Sequence, residues 1–131
     1  VVADLSLPPE MAGIVTDVEL ELEAERVLKR AGIHVIDREK SNTLPGKPKV
    51  LFRVQTVRSP ELSKHILSIE TGFAQKVQLE RDSSISVDAI TWSVHTFAVV
   101  ETSDLKPSAM SFIDRAADNF ISAFREQNPK K

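Results

Sequence analysis

The 131-residue chain carries 17 basic and 19 acidic residues and no cysteine. That length fits one domain around one core, and the missing cysteine removes disulfides, thiol catalysis and thiolate metal sites. Near-neutral charge, six Phe, one Trp and no Tyr argue against a nucleic-acid partner, which calls for a basic footprint or stacking aromatics.

Val1 to Leu7 is apolar and short and reads as a first strand, ended by Pro8-Pro9 because proline gives no ladder donor. Thr16-Asp17-Val18-Glu19 fits a capping box, with Val15 and Leu20 placed as the hydrophobic staple over it. Leu20, Ala24, Val27, Leu28 and Ala31 then follow the helical period. Gly32 can take the left-handed conformation that ends this helix, letting Ile33 pack back on Leu28. Ile33-His34-Val35-Ile36 reads as a second strand, able to pair in parallel with Val1 to Leu7 by a right-handed crossover. Lys40 to Lys49 reads as a loop, rich in the turn formers Ser41, Asn42, Pro45, Gly46 and Pro48.

Val50 to Val57 is the next strand, closed by a Ser59-Pro60 turn. From Leu67 the chain alternates, with Leu67, Ile69, Thr71, Phe73, Gln75, Val77 and Leu79 on one face. Gly72 in mid-strand marks a bulge or a bend. Arg81 to Ser84 is the turn of a hairpin. The following strand places Ile90, Trp92, Val94, Ala98 and Val100 inward and Thr91, Ser93, His95, Phe97 and Val99 outward. Asp104 is the expected N-cap of a last helix with Pro107 in its first turn. Ala109, Phe112, Ile113, Ala116, Phe120, Ile121 and Phe124 form its apolar stripe, and it stops near Gln127-Asn128-Pro129. The expected fold is α+β: a mostly antiparallel sheet of about five strands with two helices, in the order β-α-β-β-β-β-α.

Few residues carry a chemical signal. His34, His65 and His95 are too far apart to share a metal: ideal hairpin pairing puts His95 opposite residue 71, roughly 20 Å from His65. Glu19, Glu21, Glu23 and Glu25 point in different directions around a helix and form no cation site. Pro45-Gly46-Lys47-Pro48 lacks the leading glycine, hydroxyl residue and helix of a phosphate loop. Ser93 and His95 share a strand face, where Glu70 can lie beside them, but no nucleophile elbow surrounds Ser93. Trp92 faces inward and reads as core. Phe97 and Val99 fall on the outer face beside His95, either beneath a covering element or as an exposed apolar strip that binds a partner. Arg125, Lys130 and Lys131 are the residues a nucleic-acid reading would use.

One resemblance covers most of the chain in order. Thr16-Asp17-Val18-Glu19-Leu20 through Ala31-Gly32-Ile33-His34-Val35, then Thr91-Trp92-Ser93, then Ile113-Asp114-Arg115 through Asn119-Phe120-Ile121 to Asn128-Pro129-Lys130 resemble a family of small uncharacterised bacterial proteins, often predicted to be exported. The resemblance implies an envelope or secreted location and no assigned activity. The chain opens on Val1-Val2 and not on Met, so the lack of a signal peptide excludes no compartment.

The expected function is a non-enzymatic binding or assembly module of the bacterial cell envelope, periplasmic or secreted. Phe97 and Val99 carry it, with a protein partner or a second copy of the chain as occupant. The alternative is a small-ligand binder or hydrolase on the Ser93, His95 and Glu70 face, and the alternative compartment is the cytoplasm. No catalytic residue, metal, cofactor or nucleic acid is expected, and no apolar run approaches the ~20 residues of a membrane span.

Overall fold

The computed structural model describes residues 1–59 and 61–129. Pro60 of the expected turn, and Lys130 and Lys131, lie outside the described residues. The elements run β1 (Val2–Ser6), α1 (Asp17–Arg30), α2 (Arg38–Thr43), β2 (Lys49–Ser59), β3 (Lys64–Leu79), β4 (Asp82–Glu101) and α3 (Leu105–Gln127). Short 3-10 turns precede α1, at Pro9–Met11, and α3, at Thr102–Asp104.

The sheet has the order β1-β2-β3-β4, with β1 parallel to β2 and the other pairs antiparallel. The α+β class holds, with a mixed sheet of four strands and three α-helices. α1 and α3 lie together on one face of the sheet. Phe52, Val50, Val54, Leu67 and Ile69 from the sheet pack there against Leu20, Leu28, Leu105 and Ile113 from the helices, all fully buried.

α1 begins and ends on hydrogen bonds the sequence spells out. Thr16 Oγ1 accepts from Glu19 N at 3.1 Å, and Glu19 Oε2 accepts from Thr16 N at 2.9 Å, while Val15 and Leu20 are buried beside them. At the other end Gly32 sits at φ 84°. Gly32 N donates to Lys29 O at 3.0 Å and Ile33 N to Leu28 O at 3.0 Å, the paired bonds of a Schellman ending. Glu19 also bonds Lys106 at 3.1 Å, tying the start of α1 to the start of α3.

Four expectations need correction. First, Ile33 to Ile36 is not a strand. Ile36 N reaches Val1 O at 2.9 Å, but the chain turns away at once because Asp37 caps a new helix, accepting from Lys40 N at 2.8 Å. The parallel partner of β1 is therefore β2. Second, that helix, α2, occupies the start of the expected Lys40–Lys49 loop. Ser41 is buried inside it, within reach of Pro48 O at 3.5 Å. Third, the hairpin turn is tighter than Arg81 to Ser84. β4 already starts at Asp82, whose Oδ1 accepts from Ser84 N and Oγ. Fourth, Ile90 does not face inward. Ala74 pairs with Ile90 but Phe73 with Trp92, so Thr91 is an extra residue in β4. That bulge reverses which side chains face out. Ile90 lands over Gly72, where an added Cβ would lie 3.4 Å from Ile90 Cγ2.

Asp104 holds the N-cap position of α3 but its side chain makes no capping bond; the helix is entered through the 3-10 turn.

Candidate binding surface

In a sheet, residues opposite one another in register share a face. The helix-free face therefore reads as cross-strand rows. Leu51, Gly72 and Ser93 form one row, and Arg53, Glu70 and His95 the next. Gln55, Ser68 and Phe97 follow, then Val57, Ile66 and Val99. The first two rows are mostly polar or small. The last is wholly apolar and, with Phe97, forms one patch at the Lys64 end of β3.

No element covers this patch among the described residues. Phe97 is 75% exposed, Val57 65%, Val99 64% and Ile66 47%. Lone exposed apolar residues are ordinary, but four adjoining ones on three strands are not. Val57 and Ile66 did not stand out as site residues in the sequence. The signal was present in the outward phase of β2 and β3, where Arg53, Gln55, Ser68 and Glu70 are polar and these two are not.

The Ser93, His95 and Glu70 group is brought onto one face but not into a catalytic arrangement. Glu70 Oε2 accepts from Arg53 Nη1 at 2.8 Å. His95 Nε2 lies 3.7 Å from that same oxygen, beyond hydrogen-bond length. No hydrogen bond joins Ser93 to His95 among the described residues, and Gly72 lies across from Ser93. The imidazole is largely in solvent on the sheet face, and no hydrogen bond orients it among the described residues.

The other histidines stand apart from it. His65 is on the helix-covered face, 7% exposed, with Nδ1 3.2 Å from Thr102 Oγ1. Thr102 Oγ1 also donates to Ser63 O at 2.7 Å. His65 is thus held by a local hydrogen-bond chain. It borders a cavity of about 520 Å³ shared with Glu10, Thr56 and Arg58. His34 lies in the segment between α1 and α2. Among the described residues no three His, Asp or Glu side chains converge on a metal position, and no helix is long and apolar enough to cross a membrane.

A second cavity, of about 680 Å³, opens where α3 ends against the sheet. Phe120, one of its lining residues, is 5.6 Å from Phe73, 5.9 Å from Trp92 and 5.8 Å from Phe124 between ring centroids. Trp92 is thereby an inward residue, half-buried in an aromatic cluster at the margin of the core.

Between α1 and α3, Asp114 faces Glu23. Burial pushes the Asp114 carboxyl up to about 6 and Glu23 reinforces the shift, while hydrogen bonds to Arg26 and Asp114 hold Glu23 down at about 2. As two carboxylates the pair has no donor between them, and Asp114 Oδ1 is buried without one. Below about pH 6 a proton held on Asp114 supplies it.

No protein-family model and no curated protein matches the sequence. Among solved structures the chain is similar to a minor lipoprotein from Acinetobacter baumannii. The two are 13% identical, with a TM-score of 0.33, over 96% of this chain and 90% of that one.

Proposed function

We propose that the protein is a non-enzymatic binding or assembly module working through the helix-free face of its sheet. The observation that carries this reading is the uncovered row Val57, Ile66 and Val99 with Phe97 beside it. Such a patch costs solvation at every moment it is bare, and contact with a partner recovers it. The rival reading, a hydrolase or small-ligand site at Ser93, His95 and Glu70, has no convergent triad among the described residues. A bacterial envelope setting, periplasmic or secreted, is part of the proposal. It is supported by the segments around Thr16–Val35, Thr91–Ser93 and Ile113–Lys130 that carry the family resemblance.

The test is a photo-reactive amino acid at position 97, with one at Arg115 on the opposite layer as reference. Irradiation in the bacterial host should yield discrete protein adducts from position 97 and none from Arg115. Equal labelling at the two positions, or no adduct at either, would overturn the reading. Phe97→Asp should change unfolding free energy by less than ~0.5 kcal/mol, because the ring buries little in the monomer.

A further inference from the structure

We propose that the partner is a second copy of this chain, with β4 pairing antiparallel to β4 across a twofold axis so that two four-stranded sheets become one. The inference rests on the reading of the sheet as an assembly element and adds a contact at its edge; the row Val57, Ile66 and Val99 stays on the outer face of the joined sheet.

β4 is a long sheet edge whose protection among the described residues is limited to its register irregularities, chiefly the bulge at Thr91. It runs from Asp82 to Glu101 and pairs only with β3 among the described residues. Sheet edges are normally blunted by short length, Pro, Lys, a β-bulge or a charge pointing inward. β4 contains no Pro and no Lys. Asp82 lies opposite Leu79 at the turn; from Val87 on its inward side chains are Val87, Ala89, Trp92, Val94, Thr96, Ala98 and Val100, all uncharged. Ile85 and Val87 are substantially exposed.

The bulge at Thr91 selects the register. Because of it, Ser86, Asp88 and Ile90 face outward before the bulge, and Ser93, His95, Phe97 and Val99 face outward after it. Side-chain direction and hydrogen-bond direction alternate together along a strand, so a second β4 must set outward residues against outward residues. An axis between Thr91 and Trp92 does this on both sides of the bulge. Ile90 then meets Ser93 of the second copy, Asp88 meets His95, and Ser86 meets Phe97. On the inner face Ala89 meets Val94, Val87 meets Thr96 and Ile85 meets Ala98, covering the exposed Ile85 and Val87.

A donor–acceptor match favours this register and a self-complementary partner. Asp88 has no ion-pair partner among the described residues, and His95 already lies 3.7 Å from Glu70. Pairing places each His95 opposite an Asp88, twice by symmetry. Sliding each strand by one residue sets Asp88 opposite Ser93 or Phe97 instead and loses the match. At the far ends Glu101 comes opposite Asp82, but Lys64 at 3.6 Å already offsets Glu101.

The absence of native cysteine makes the register directly testable. Ser86→Cys combined with Phe97→Cys should give a covalent dimer on mild oxidation. The two positions are about 36 Å apart along one strand and cannot bridge within a chain. Ser83→Cys with Phe97→Cys, three residues out of register, should stay monomeric on a non-reducing gel. In sedimentation equilibrium the unmodified chain should associate, His95→Asp should weaken association about tenfold or more, and Asp88→His in the same chain should restore it. Cross-linking through the 83/97 pair, or association indifferent to His95→Asp, would overturn the proposal. A monomer that still forms adducts at position 97 would overturn the β4 pairing and leave the surface reading standing. A monomer with no adducts would overturn both.

Discussion

The two edges of this sheet are built in opposite ways. β1 is five residues long, and the chain closes around it: Ile36 N bonds Val1 O, α2 follows, and Arg38 bonds Asp4 at 2.9 Å. β4 is 20 residues long and nothing comparable lies outside it among the described residues. Both edges belong to the same sheet and share one core. The lesson is that edge protection here is placed locally by short sequence devices, an Asp37 cap and an Arg38–Asp4 pair, and that β4 was left without them.

The sharpest way to break this contrast is to cut into the core beneath each edge. Phe52, paired with Leu5 of β1, is 1% exposed. Phe52→Ala should cost about 3–4 kcal/mol in denaturant unfolding, the range for a fully buried ring. Trp92→Ala beneath β4 should cost less, about 1–2 kcal/mol, since that ring is only half-buried. Equal losses would mean the β4 side is as enclosed as the β1 side, and the contrast would fail.

A smaller effect probes the closure of β1 directly. Asp37→Ala removes the capping bond that starts α2 and should cost about 1 kcal/mol. Amide hydrogen exchange across Val2–Ser6 should quicken while β4 is unchanged. If β1 protection holds, α2 is not what secures that edge.

The smallest effect tests a place remote from both edges, the seam between α1 and α3. Asp114 titrates near 6 in the fold against an ordinary value near 3.8. Its carboxyl therefore favours the folded state when protonated, and stability declines as pH rises from about 4 to above 6. Glu23 acts the other way, lending stability above about 4.5 that is lost as pH falls toward 2. Asp114→Asn should remove the decline and raise stability at pH 7.5 by somewhat under ~1 kcal/mol, solvent screening limiting the gain at this partly exposed seam. A profile between pH 4 and 7 as steep as that of the parent would show that Asp114 is not the group responsible.

Legibility in the sequence followed the range of the interactions involved. α1 was readable to its last residue because its caps are made by side chains within four positions of the bonds they form. α3 and the inward phase of β3 were readable from period alone. The fifth strand was misread because Ile33 to Ile36 has strand composition, while its fate depends on Asp37 starting a helix and on β2 taking the place beside β1. Ile90 was misplaced because one extra residue at Thr91 is invisible to alternation and appears only in cross-strand pairing. Phe97 and Val99 could be assigned a face, but their exposure depends on where α3 runs. Val57 and Ile66 join them only through a register spanning three strands.

The spacing of strand partners along the chain carries one more consequence, for the order of assembly. β3 and β4 close on a turn at Glu80 and Arg81 and can zip outward from it, each pair bringing the next within reach. β1 and β2 meet through Val2 and Lys49, about 47 positions apart, with α1 and α2 between. Loop closure of that length pays its entropy before any contact returns it, so the parallel pair forms late. During refolding, β2 waits with its flank open until β1 arrives. The protected edge of the finished sheet is thus the last part of the sheet to be built.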